Sequence, residues 1–271
     1  MTTPKPRFLA SVRSVEEALL ADVLGAELID LKEPAHGALG AVAATDQRRI
    51  VSALEEGGKR RPPVSATVGD LPFEPDLLAD AIRRTAATGV DIVKFGVYAS
   101  GMAARKGFAD LDLCLDHDPP PVALVALLLV DRMANIDEAL ALARAAMRVT
   151  GVKGVMLDTA EKGAAARALP DIFSHAELSN FVAGVHACEG FAGFAGSLRI
   201  EHVEALVATG ADILGFRGAL CHGTRAGMLD AHAVENVFDR LKAARSSSSA
   251  SALAAYTSAV EISGQRRAIS G

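Results

Sequence analysis

Three lysines and several aspartates stand at or near the ends of short apolar runs, where a side chain can be half shielded and still reached by a small molecule. Lys94 lies inside DIVKF (91–95), among β-branched and aromatic neighbours. Lys32 follows the run ELIDL (27–31), with Asp30 and Glu33 close by. Asp158 closes VMLD, and Lys162 follows four residues later in TAEKG. Thr67 and Asp70, then Asp131, then Arg217 occupy the same place after three further runs. An amine taken out of water beside other cations loses proton affinity. The neutral amine can then accept a proton or add to a carbonyl as a Schiff base. A neighbouring carboxylate can orient that amine or move protons itself. Unpaired buried charge is costly, so this collection reads as a site rather than as packing. The competing readings are an ion pair plugging the core for Lys94 and a solvated loop residue for Lys162.

Glycine-containing segments offer a second chemistry. GSL (196–198) and GFRGA (215–219) follow the two last apolar runs. Gly196, Ser197, Gly215 and Gly218 free backbone N–H groups to face an anion. Arg217 would add a guanidinium fork. The loop HGALGA (36–41), with Gly40, lies next to Lys32 and could cradle a second phosphate. Each segment alone is a weak signal. The seven histidines form no HExxH-type pattern, so no catalytic metal is expected, and Schiff-base chemistry on a lysine requires no organic cofactor. Cys221 has only His222 beside it and reads as a bystander.

The elements that must position these groups repeat with one grammar. A helical pattern ends at glycine, a short polar step follows, and a continuous apolar strand begins, as in ATGVDIVKFG, VTGVKGVMLD and ATGADILGFRG. Glycine suits a helix C-terminus, and unbroken apolar runs mark strands covered on both faces. Eight strands are expected, at 8–12, 27–31, 63–68, 91–95, 122–130, 152–157, 191–195 and 212–216. Helices are expected at 15–24, 46–56, 75–88, 136–149, 176–187, 200–208 and 231–243, with Ser14 and Glu17 as a capping box for the first. The connection 99–118 looks irregular. This is a single-domain α/β fold, a (β/α)8 TIM barrel over residues 1–244, with a Ser/Ala-rich C-terminal tail over 245–271. In such barrels chemistry gathers at the C-terminal ends of the strands. An open dinucleotide-binding sheet would want a GxGxxG after the first strand, and RSVEEA stands there instead.

Composition narrows the class. Of 271 residues, 50% are hydrophobic but only 4% aromatic, with no Trp, so aliphatic side chains must fill the core. A net charge of −5 and no basic stripe beyond Lys59–Arg61 argue against nucleic acid. The most apolar run, 119–130, is too short to span a bilayer, and the N-terminus has no long apolar core of a signal peptide. Three scattered cysteines suit a reducing compartment. The expectation is a cytoplasmic enzyme on a small phosphorylated substrate, free to form homo-oligomers.

Several segments together carry a family resemblance. DLKEPAHGALGA (30–41), VSATVGDLPF (64–73), DIVKFGVY (91–98), VMLDTAEKG (155–163), GSL and DILGFRGA (212–219) resemble the (5-formylfuran-3-yl)methyl phosphate synthases, also called 4-(hydroxymethyl)-2-furancarboxaldehyde-phosphate synthases. The likeness covers roughly residues 7–243. It implies a lyase that joins two molecules of glyceraldehyde 3-phosphate into a furan aldehyde bearing one phosphate, with loss of phosphate and water. The product would feed synthesis of methanofuran-type one-carbon carriers. The resemblance implies Lys32 as the Schiff-base lysine, Lys94 as proton acceptor, and Asp158 and Lys162 as further site residues; Asp30 stands beside them. The sequence departs from the family where Gly163 follows Lys162 directly. A class I aldolase or isomerase on another sugar phosphate would share these features and differ in releasing no inorganic phosphate. A non-catalytic phosphate-binding barrel would show no imine trapping.

Overall fold

The computed structural model describes residues 6–57, 61–163 and 166–247. Eight parallel strands close on themselves in sequence order, β1 pairing with both β2 and β8. They are β1 (Arg7–Val12), β2 (Leu28–Leu31), β3 (Val64–Thr67), β4 (Ile92–Val97), β5 (Ala123–Leu129), β6 (Val152–Asp158), β7 (Phe191–Phe194) and β8 (Ile213–Phe216). Around them run α1 (Val15–Val23), α2 (Ala44–Glu56), α3 (Pro75–Ala86), α4 (Gly101–Asp116), α5 (Ile136–Ala146), α6 (Leu169–Ile172), α7 (His175–His186) and α8 (Val203–Ala208), and a last helix, α9, over 231–247. The expected (β/α)8 barrel is the observed fold. Most elements fall within three residues of their expected bounds. Among the described residues no helix is long and apolar enough to cross a membrane.

Alternation along each strand separates two cores. Phe8, Ala10 and Val12 of β1, with Ile29 and Leu31 of β2, pack outward against the helices. Leu9, Leu28, Val125, Leu127, Met156 and Ile213 fill the interior. The same period of two puts Ser11, Asp30, Ser65, Thr67, Lys94 and Asp158 on the inward face. Parallel register sets Ser11 beside Asp30, Asp30 beside Ser65, and Thr67 beside Lys94.

The connection expected to be irregular contains α4, a helix of 16 residues. Its buried positions, Ala104, Gly107, Phe108, Leu111 and Leu115, keep helical spacing. Glycine at 107 hides the pattern, being a poor helix former. Here it is required: a Cβ at Gly107 would lie 2.5 Å from the Phe73 ring. Phe73 in turn meets Phe108 edge-on at 5.0 Å. The closing helix runs past the expected boundary at 244, and Arg245 Nε donates to Pro6 O at 2.8 Å. Beyond residue 247 the expected tail lies outside the described residues.

The N-terminal end of the barrel is sewn by acids that precede even-numbered strands. Glu27, before β2, accepts from Phe8 N of β1 at 2.8 Å. Asp91, before β4, accepts from Val64 N of β3 at 2.7 Å. Asp212, before β8, accepts from Ala192 N of β7 at 2.8 Å. Each also meets one basic side chain: Arg245, Arg61 and His186 respectively.

Candidate active site

At the opposite end, a cavity of about 660 Å³ opens over the strand termini. Lys32, Lys94, Asp30, Asp158 and Lys162 all line it, together with Gly196, Ser197, Gly215, Arg217 and Gly218. Residues separated by as many as 188 positions are thus brought to one mouth, as the strand-end pattern requires.

Two ionic clusters form its floor. In the first, Asp30 Oδ1 accepts from Lys94 Nζ at 2.5 Å and from Ser65 Oγ at 2.8 Å. Asp30 Oδ2 accepts from Ser11 Oγ at 2.9 Å. Asp30 is therefore held by β1, β3 and β4 at once, and it leaves Lys94 little freedom. In the second, Asp158 bridges two amines: Oδ2 meets Lys32 Nζ at 3.1 Å, and Oδ1 meets Lys162 Nζ at 2.6 Å. Thr159 N donates to the same Oδ1 at 2.7 Å. Lys162 belongs to the cluster and is not a solvated loop residue; its Nζ also meets Thr159 Oγ1 at 3.1 Å.

Burial sets the electrostatics. Asp30, Lys32, Lys94 and Asp158 are only 1%, 7%, 4% and 2% exposed. Burial pushes the Lys94 ammonium below its ordinary pKa; Asp30 resists this and Lys32 adds to it. Lys162 is lowered for the same first reason, with Asp158 opposing and Lys32 assisting. Burial works to raise the Asp158 carboxyl, but the Lys162 and Lys32 ammoniums outweigh it and hold the group well below the usual carboxylate range. The result is a carboxylate held in its charged form between two amines, and a third amine, Lys94, that gives up its proton more readily than a free lysine.

The loop after β7 carries two consecutive residues of positive φ. Gly196 and Ser197 have φ of 89° and 53°, the latter uncommon for a residue with a side chain. The N–H groups of Gly196, Ser197 and Gly218 take no acceptor among the described residues. Gly215 lies one strand over, paired with Leu9.

Two expected phosphate contacts are placed differently. Arg217 borders the cavity but spends every donor on protein. Nη1 and Nη2 fork onto Glu17 of α1 at 2.5 and 3.2 Å. Nη1 also meets Ser11 O at 3.1 Å, Nη2 meets Gly227 O at 2.8 Å, and Nε meets Arg225 O at 2.9 Å. The expected capping box at α1 is correspondingly half formed. Ser14 Oγ accepts from Glu17 N, while the Glu17 carboxylate turns to Arg13 N and Arg217. Gly40 is not part of the cavity wall. Its carbonyl accepts from Glu33 N and Thr67 Oγ1, and Leu39 N is taken by Asp70. Leu39 itself drops into the interior core. Asp131, another strand-end acid, accepts from Ala160 N and Glu161 N, both at 2.7 Å, and so shapes the loop that carries Lys162.

Sequence reasoning missed Arg225, which lines the same cavity. It sits in a loop after β8 with no motif around it, and nothing local announces that Arg217 would hold its carbonyl. It also missed Tyr98, whose hydroxyl donates to Asp70; burial, then Asp70, pushes that phenol above its ordinary value. Burial pushes the Cys221 thiol above its ordinary value, which disfavours the thiolate. Among the described residues no group of three or more His, Cys, Asp or Glu is placed to hold a metal ion.

Comparison with known proteins points to one family. A family model described as 4-HFC-P synthase matches residues 8–238. The chain is 34% identical to the (5-formylfuran-3-yl)methyl phosphate synthase of Methanopyrus kandleri, covering 88% of this chain and 99% of that protein. It is 31% identical to the (5-formylfuran-3-yl)methyl phosphate synthase of Methanosarcina mazei, covering 85% of this chain and 97% of that protein. Among solved structures, phosphoribosyl anthranilate isomerase from Thermus thermophilus aligns with a TM-score of 0.58 over 88% of this chain and 98% of that one, at 15% identity, a likeness of fold alone. Matched along most of its length by the family model and by relatives above 30% identity, the chain belongs to the 4-HFC-P synthase, or (5-formylfuran-3-yl)methyl phosphate synthase, family.

Proposed function

We propose that this protein condenses two molecules of glyceraldehyde 3-phosphate into (5-formylfuran-3-yl)methyl phosphate through an imine on Lys32. The carrying observation is the pair of clusters in one mouth: Lys32 and Lys162 on Asp158, and Lys94 on Asp30. Lys32 Nζ adds to a triose carbonyl, and the carbinolamine loses water to give C=N. Asp158 keeps Lys32 aimed, and the Lys162 ammonium beside it is the acid that protonates the departing hydroxyl. The imine draws electrons from the adjacent C–H bond. Lys94, made readier by burial to give up its own proton, accepts the C–H proton and leaves an enamine. The enamine carbon bonds to the carbonyl carbon of the second triose. Two trioses less one phosphate must still lose two waters to reach the furan aldehyde, so acid and base groups are needed repeatedly. The sequence is redox-neutral and needs no hydride acceptor. The N–H groups of Gly196, Ser197 and Gly218 receive a substrate phosphate, the charge that helix and loop N–H groups favour.

The test is incubation of purified protein with glyceraldehyde 3-phosphate alone. One inorganic phosphate per two trioses, with a furan chromophore of the product's mass, is expected. A condensation product retaining both phosphates would replace this reading with a class I aldolase.

A further inference from the structure

Two trioses bring two phosphate groups, and the N–H groups of Gly196, Ser197 and Gly218 accommodate one. The other cations lining the mouth are engaged: Lys94 on Asp30, Lys32 and Lys162 on Asp158, and Arg199 on Glu201. Arg217 has no donor left, since all five N–H groups meet protein oxygens. Arg225 is different. Its side chain lines the cavity from the loop after β8, is half-buried, and makes one long contact, Nη2 to Gly37 O at 3.5 Å, across the mouth on the loop after β2. Among the described residues it has no carboxylate within ion-pair distance.

Its place is built, not incidental. The segment 221–229 folds back on itself, with a bridge between Cys221 and Leu229 and His222 N donating to Met228 O at 3.1 Å. A tight turn closes it, Gly227 N to Thr224 O at 2.8 Å. Arg217 clamps the carbonyls of Arg225 and Gly227 from beneath. A buried ion pair with Glu17 holds Arg217 still. The rigid arginine thus serves as the mounting for the loose one.

We propose that Arg225 is a second phosphate-binding residue of this mouth, receiving the phosphate monoester of the second triose from the side facing Gly37. This rests on the two-triose reading. A guanidinium with one long contact, to Gly37 O, matches a phosphate dianion in a two-pronged contact. The first triose, held by the N–H groups of Gly196, Ser197 and Gly218 and by the imine, does not depend on it.

The test compares Arg225→Ala and Arg225→Lys with the wild type in three measurements. Inorganic phosphate titrated into the wild type should fill two sites, and into Arg225→Ala one; two sites in both would overturn the proposal whatever the enzyme turns over. In steady state, Arg225→Ala should raise KM for glyceraldehyde 3-phosphate about tenfold or more, with Arg225→Lys between. An unchanged KM would also overturn it. Borohydride trapping of a single triose on Lys32 should keep its wild-type concentration dependence in Arg225→Ala. Trapping that weakens in parallel with turnover would assign Arg225 to the first triose or to the frame of the mouth, and refute the proposal. If the wild type forms no furan product, the two-triose reading fails separately, and the phosphate stoichiometry still reports on Arg225.

Discussion

The two ends of this barrel use charge in opposite ways. At the N-terminal end, Glu27, Asp91 and Asp212 each accept one backbone N–H and meet one basic side chain, so every acid is matched. At the C-terminal end, Lys32, Lys94, Lys162 and Arg225 line the cavity against Asp30 and Asp158. The first arrangement ties neighbouring strands together at the water's edge, where ion pairs contribute little beyond geometry. The second sets three amines on two carboxylates and, among the described residues, leaves the half-buried Arg225 without one. Charge that folding does not balance is charge reserved for a ligand, and phosphate esters have the complementary sign.

The comparison predicts effects that descend from the mouth to the base. Lys32→Ala should abolish turnover and borohydride-dependent labelling together, read by phosphate release and peptide mass mapping. A triose adduct appearing on Lys94 in the wild type instead would exchange the roles of the two amines. Lys94→Ala should lower turnover by roughly 10²–10⁴-fold, the usual worth of a positioned base, while labelling at Lys32 persists.

The pH profile sharpens the same point. Lys94 must be neutral to accept a proton, so activity should fall as pH drops through its lowered pKa. Asp30 favours the charged amine. Asp30→Asn removes that support and lowers the pKa further, which should move the acid limb of turnover to lower pH. A limb that stays in place would mean another group sets it.

Arg217→Ala breaks a buried pair and leaves Glu17 uncompensated. It should cost about 3–5 kcal/mol of unfolding free energy, seen as a lower denaturation midpoint. A variant of full stability with weakened substrate binding would return Arg217 to the substrate. The smallest effect belongs to the base. Asp91→Ala should lose about 1–2 kcal/mol of stability with turnover unchanged, and a drop in kcat would dissolve the distinction between the two ends.

Much of the mouth was legible because inward alternation and strand-end placement are local properties. Reading DIVKF or VMLD places Lys94 and Asp158 without knowing any partner. What stayed hidden depended on long-range pairing. Glu17 and Arg217 meet across 200 positions, so Arg217 reads from sequence as a free phosphate ligand, and Arg225, mounted on it, reads as nothing. Leu39 was obscured by its own loop: HGALGA looks like an open cradle until Asp70, 31 residues on, takes its N–H. Some signals were available and unused. Glu27, Asp91 and Asp212 all stand just before strands in the repeated units, a regularity that already marks them as a set. Helix α4 was masked by Gly107, whose reason for being there, Phe73, lies in another connection.

Arg245 holds the carbonyl of Pro6 at 2.8 Å, so the last helix is tied to the start of the first strand. A barrel is a ring, and this contact is where the ring of chain almost meets itself. The mouth therefore does not depend on which strand is threaded first. A circularly permuted protein, with residues 6 and 245 spliced through a short linker and new termini opened in the connection between α2 and β3, keeps all eight strand-end loops intact at the far face.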